Sequence, residues 1–229
     1  MMWLALIPHP DRLDLRMAAR RGAGHWRWLA PLMAIGAVAA DIALVKHGLA
    51  HSWVRVILPV LGLALLETMR QARPQHPWPR WRPRDGWLPW WRVSMWTLFT
   101  CSSFLIPVFM FADRIQPGWA PQALTGSDFL AALFPVCVMA PLAEEGVYRW
   151  LFCTGFAARM NSKLVIFFSG TIFAALHFVY YDNAAITNLL AGYLLAWVYF
   201  ASGSLLMPVL WHSLGNLLLL LVPGLFTAG

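Results

Sequence analysis

The chain has 229 residues, of which 60% are hydrophobic and only 12% charged, against the quarter or so charged in an average soluble domain. That excludes disordered, collagenous and soluble globular classes and predicts an all-α, polytopic transmembrane helical bundle of about seven spans, within a range of six to eight. The formal charge of +7 and pI near 9.9 would suggest nucleic acid in a soluble protein, but here the arginines cluster beside apolar runs. Cytoplasmic loops and anionic-lipid contacts have this pattern, so membrane lipids are the expected partners and nucleic acid is not.

Residues 1–27 read as a basic cytoplasmic N-terminal arm, with Arg12, Arg16, Arg20, Arg21 and Arg27 against Asp11 and Asp14. An N-terminal pair of spans follows over 28–69, Trp28 to Val45 and Ser52 to Met69, joined by a short turn containing Lys46 and His47. Asp41, Arg55 and Glu67 fall within a turn or so of span ends, where charged side chains snorkel to the interface, and are read as structural. The segment 70–92 is rich in Arg, Trp and Pro; its prolines preclude a regular helix, and the Arg and Trp together suit the headgroup level.

The core is expected over 93–226. A third span covers Val93 to Ala112, and a weakly charged external loop runs from Asp113 to Ser127. The fourth helix opens at Ser127 or Asp128 and continues past a kink at Pro141 to about Arg159. Spans five to seven cover Leu164 to Tyr180, Thr187 to Ala201 and Leu205 to Phe226. With the N-terminus cytoplasmic, this count leaves the C-terminus outside. Gly192 and Ala196 in the sixth span form a small-xxx-small pair that admits a close neighbour. The three cysteines, Cys101, Cys137 and Cys153, make no CxxC pair, so neither a disulfide framework nor a thiolate zinc site is supported.

The distinctive polar residues lie late in the chain: Glu144, Glu145 and Arg149 on the fourth helix, His177 on the fifth, His212 and Asn216 on the seventh. Each ionisable side chain within a span costs roughly 2.5–3.5 kcal/mol on insertion scales, so several together point to a polar cavity. At 1.5 Å per residue they lie about 10–21 Å from the cytoplasmic helix ends, depths compatible with one site. Glu145 and Arg149 are spaced i, i+4 and can pair, while Glu144 points about 100° away. His212 and Asn216 share that spacing. A carboxylate with a neighbouring imidazole can hold and deprotonate water, while a His and an Asn aimed elsewhere can stabilise an oxyanion. This set suits amide hydrolysis without a covalent intermediate.

The runs EEGVYR (144–149), FAALH (173–177) and HSLGN (212–216) match the EExxxR, FxxxH and HxxxN motifs of the CPBP intramembrane glutamic endopeptidases, the CaaX-processing and Abi-type proteases. The chain resembles that family over residues 128–220. The resemblance implies that Glu144 and His177 activate water, that His212 and Asn216 form the oxyanion site, that Glu145 and Arg149 support the carboxylate geometry, and that no cofactor is needed. It also implies a substrate that is the tail of a membrane-associated protein or peptide. Trp150 departs from the glycine that many members carry after the arginine, which bears on local packing and substrate access. Phe173 is read as packing.

Other classes remain open from the residues. Glu144, His177 and His212 could supply two imidazoles and one carboxylate to a catalytic zinc, although no HExxH helix is present. A non-catalytic immunity or scaffold protein of the same fold is a second alternative and a transporter a third. The expected location is the plasma (inner) membrane of a prokaryote.

Overall fold

The computed structural model describes residues 26–49, 52–61, 87–110, 126–157, 160–181 and 186–226. Nearly all of these are helical, and the described residues contain no sheet. The helices are α1 (Trp26–Lys46), α2 (residues 53–61), α3 (Trp87–Met110), α4 (residues 126–157), α5 (Ser162–Tyr181), α6 (Ile186–Ser202) and α7 (Leu206–Phe226). They fall where the apolar runs predict spans. The N-terminal arm through His25, Glu67 with the rest of the second span, the 70–86 part of the basic segment and the loop over 111–125 lie outside the described residues.

One boundary differs from expectation. The described part of α3 begins at Trp87, inside the segment whose prolines lead one to expect no regular helix. Pro89 stands in the first turn of this helix, where a backbone N–H has no intrahelical acceptor to lose.

The α1–α2 hairpin is set by Gly48, whose φ of 77° is in the left-handed region. With glycine there, the Leu49 N–H reaches back to the Leu44 carbonyl (2.9 Å) and the Gly48 N–H to Val45 (3.0 Å). This closes the helix end and turns the chain back. Small residues on one face of α1 then allow it to lie against the second half of α4. Ala37 packs with Val147, Tyr148 and Leu151, and Ala34 with Phe152 and Cys153. Numbering rises along α1 as it falls along α4, so the two run antiparallel.

The α5–α6 contact is closer still. A Cβ placed on Gly192 would stand 2.7 Å from the Gly170 carbonyl oxygen, and one on Gly170 would strike the Tyr193 ring. The small residue at 192 therefore does what its position suggests, letting two backbones touch. Gly203, at φ 61°, makes the tight turn into α7. Val93, Val198 and Met207 pack α3 onto α6 and α7.

α4 is not a uniform α-helix. Its α-helical beginning (Gly126–Phe134) passes into a π-helical stretch (Pro135–Met139), returns to α geometry over Ala140–Glu144, and widens again to π over Glu145–Cys153. The expected kink at Pro141 thus takes the form of wide turns on both sides of that proline. Helix Gly126–Phe156 has 31 residues and contains an 18-residue stretch of mean hydropathy 1.6, long and apolar enough to cross a membrane. Large apolar side chains such as Leu32, Trp53, Phe99, Leu130 and Phe167 face outward from the bundle, an amount of exposed apolar surface that lipid would cover.

Candidate active site

Glu144 is the last residue of the α-helical turn in α4, and Glu145 opens the π-helical stretch. Both side chains are buried. Glu145 is held by two partners: it accepts a hydrogen bond at Oε1 from His212 Nδ1 (2.8 Å), and its Oε2 lies 3.1 Å from Arg149 Nε. The arginine contact is an attraction of opposite charges whose N–H is not aligned for a hydrogen bond. Arg149 is fully buried, and its guanidinium carbon sits 4.6 Å from the centre of the Phe173 ring, a cation–π contact that substitutes for part of the lost hydration.

Glu144 has a different arrangement. Its Oε1 accepts from Arg55 Nη2 (3.1 Å), while Oε2, buried and without a hydrogen-bond partner among the described residues, faces two imidazoles. His212 Nε2 is 3.7 Å away and His177 Nε2 3.9 Å. His177 Nδ1 is 2.9 Å from the Phe173 carbonyl, which only accepts, so that nitrogen carries a proton and Nε2 is the ring atom turned toward Glu144. His212 Nδ1, bonded to a carboxylate, follows the same rule. Glu144 Oε2 and the two imidazole Nε2 atoms therefore converge at separations suited to an intervening water.

Phe173 is more than filler. Its ring lies 4.2 Å from that of His177, 5.8 Å from that of His212 and 5.7 Å from that of Tyr148, in addition to lying beneath Arg149. It fixes the planes of both imidazoles. The spacing of FAALH placed it one turn from His177, but its contact with His212 on another helix could not be read there.

Asn216 does not join the carboxylates. Its Nδ2 donates to the Val136 carbonyl (2.8 Å) in the first π-helical stretch. In that stretch each carbonyl takes the N–H five residues on, as Pro135 does from Ala140. Val136 would need the N–H of residue 141, which is proline, and Asn216 supplies the missing donor. The amide carries a second N–H.

The structure also places two residues at the site that the chain's layout assigned to the interface. Asp41 on α1 and Arg55 on α2 are 1% and 4% exposed. Arg55 donates to both Asp41 oxygens as well as to Glu144, and the Tyr148 hydroxyl donates to Asp41 Oδ2 (2.7 Å). The available signal was a pair of opposite charges, one on each side of a short interhelical turn.

Trp150 is half-buried and packs against the cluster that contains Ala34, Phe152 and Tyr199. Among the described residues, no group of three or more His, Cys, Asp or Glu is arranged to hold a metal ion. An apolar cavity of about 460 Å³ opens between α4 and α7, lined by residues including Phe134, Cys137, Val138, Leu214 and Leu217.

Residues 126–218 match the family profile of the Rce1-like type II CAAX prenyl endopeptidases. Among curated proteins and among solved structures, none matches the chain. The matched segment starts at the first residue of α4 and ends within α7, so it contains Glu144, Glu145, Arg149, His177, His212 and Asn216 but neither Asp41 nor Arg55. Over that segment, about two-fifths of the chain, the protein is similar to the CAAX prenyl endopeptidases.

Proposed function

We propose that the protein is an intramembrane endopeptidase of the glutamic type, in which Glu144 and His177 activate a water molecule that attacks a peptide carbonyl. The single observation that carries this reading is the buried Oε2 of Glu144, without a hydrogen-bond partner among the described residues and facing two imidazole nitrogens at 3.7 and 3.9 Å. A water there donates one hydrogen to Oε2 and one to His177, leaving its lone pair for the carbonyl carbon. As the C–O bond forms, the water's proton passes to the Glu144–His177 pair; it then moves to the amide nitrogen as the C–N bond breaks. Atoms and charge balance without a metal or a covalent intermediate.

Among Asp41, Glu144, Glu145, Arg55 and Arg149, acids outnumber guanidiniums by one. A proton on His212, which has a carboxylate near each ring nitrogen, would balance the cluster and supply a donor for the oxyanion. The second N–H of Asn216, one helical turn further along α7, is the other donor we assign to it. His177 is the more exposed histidine, its side chain 21% accessible against 9% for His212, so substrate enters on its side.

The substrate we propose is the C-terminal tail of a membrane-associated protein or peptide, entering from the cytoplasmic side of a prokaryotic plasma membrane. The apolar cavity between α4 and α7 suits the aliphatic part of such a tail. The test uses purified protein and a quenched fluorogenic peptide ending in farnesyl-cysteine, two aliphatic residues and methionine, beside its unprenylated counterpart. Cleavage by wild type, loss in Glu144→Gln and His177→Ala, and indifference to a chelator are expected. Equal cleavage by the two variants would overturn the mechanism, and chelator-sensitive activity rescued by zinc would replace it with a metallopeptidase.

A further inference from the structure

The matched family segment does not contain everything that touches Glu144. One of its two oxygens is bound by Arg55, which comes from the helical hairpin before the segment. Arg55 is buried, and three of its contacts are made through two nitrogens: Nε to Asp41 Oδ1, Nη2 to Asp41 Oδ2 (3.1 Å) and Nη2 to Glu144 Oε1 (3.1 Å). Asp41 is held in turn by the Tyr148 hydroxyl, four residues after Glu144 on α4. The chain of contacts thus leaves α4 at Tyr148, crosses α1 and α2, and returns to α4 at Glu144.

We propose that Arg55, oriented by Asp41, is a positioning residue for Glu144; this rests on the reading of Glu144 as the water-activating carboxylate. A carboxylate can rotate about its terminal torsion, which is broad and nearly two-fold. With Oε1 tied to the guanidinium, only Oε2 is presented to the imidazoles. The guanidinium also offsets the cost of holding a carboxylate at this depth, where an unpaired charge would be strongly disfavoured. A purely structural Asp41–Arg55 pair would not need the third bond, since Asp41 already engages Arg55 through both its oxygens.

The placement of Arg55 is itself built in. Pro59, one turn further along α2, is buried against Gly146, where an added Cβ would stand 2.7 Å from the Pro59 Cβ. The glycine of EEGVYR therefore lets α2 approach α4 closely enough for the guanidinium one turn away to reach Glu144. Trp53 against Phe134, with ring centres 5.6 Å apart, holds the other end of the same contact.

Two measurements on the full chain test this. In the first, the quenched farnesyl peptide reports kcat and KM for wild type, Arg55→Gln, Arg55→Lys, Asp41→Asn/Arg55→Gln and Glu144→Gln. We expect Arg55→Gln to lower kcat by about 10-fold or more, with KM within about threefold, and Arg55→Lys to recover part of the loss, since a lysine keeps charge but not the fork. The double variant removes the buried charge that Arg55→Gln alone leaves unpaired on Asp41. Wild-type kcat in this variant would overturn the proposal, because Arg55 would then serve only to neutralise Asp41.

In the second, dicyclohexylcarbodiimide, which modifies protonated carboxyl groups from the apolar phase, is followed by mass spectrometry at Glu144 and Glu145. Faster labelling of Glu144 in Arg55→Gln and Asp41→Asn/Arg55→Gln, with Glu145 unchanged, is the expected result; labelling of both acids as in wild type would sink the proposal even if the peptide is not a substrate. If Glu144→Gln cleaves like wild type, the endopeptidase mechanism fails. If it is inactive while both Arg55→Gln and the double variant cleave like wild type, only the positioning role fails.

Discussion

Two buried Arg–Glu contacts stand side by side at the centre of this bundle and were assembled in opposite ways. Arg149 meets Glu145 within one helix, four residues apart, inside the segment that matches the protease family. Arg55 meets Glu144 across 89 residues of chain, from a hairpin that precedes the match. The local pair leaves Glu145 engaged on both oxygens and turned toward His212 Nδ1, whereas the long-range pair leaves one oxygen of Glu144 directed at the two imidazole Nε2 atoms. Adjacent acids of the same kind are thereby differentiated, one into a support and one into a candidate base, by where their arginines come from.

The largest effect that would break this comparison is in the acids themselves. If Glu144 is the base, Glu144→Gln should lower kcat on the order of 10³-fold or more, with the glutamine still able to accept from Arg55. Glu145→Gln should cost less and be felt through His212. Peptide-cleavage kinetics on the two variants decides it: equal losses would erase the distinction between support and base.

Next come the histidines. His212→Ala strips a partner from both carboxylates and His177→Ala from one, so thermal unfolding should show the greater destabilisation for His212→Ala. Both should lower kcat by about 10²-fold or more. A His177→Ala variant with wild-type turnover would leave the water with no base beside Glu144.

Smaller still is the effect of moving the hairpin without touching a charge. Gly146→Ala should push α2 from α4, cost ~1–3 kcal/mol in unfolding free energy, and reproduce part of the kcat loss of Arg55→Gln. An Ala variant that is destabilised yet fully active would separate the hairpin's packing from its electrostatic role. A stability change of similar size is expected in Asn216→Ala, which forfeits the bond to the Val136 carbonyl at a cost of about 1–3 kcal/mol for the buried acceptor left behind. A fall in kcat beyond that expected from destabilisation would mark the second amide N–H as an oxyanion donor.

The apolar runs made most helix positions legible, because a bundle whose outer face is hydrophobic needs long uninterrupted segments. The i, i+4 pairing of Glu145 with Arg149 was legible for the same reason that it is local. Asp41 and Arg55 were not, since charges near span ends ordinarily reach for the interface, and only the closeness of α2 to Gly146 turns Arg55 inward. His212 was expected to be aimed away from the water-activating pair; instead it lies as near to Glu144 Oε2 as His177 does. That depends on how α7 is rotated against α4, a tertiary property with no one-dimensional signature. The two π-helical stretches left only the prolines at 135 and 141 as a hint.

Those stretches make the length of α4 a constraint in its own right. A π-turn is an α-helix carrying one extra residue, and residues 145–153 hold Glu145, Tyr148 and Arg149 in the widened register. Removing a single residue from the end of this stretch, at Leu151 or Phe152, would allow it to close to α geometry; the flanking turns would keep their orientation, but Glu145, Tyr148 and Arg149 would lose the widened spacing between them. The chain should therefore accept many replacements on the outer face of α4 and almost no deletions within it. Its reading frame in space is kept by counting residues as much as by their identity.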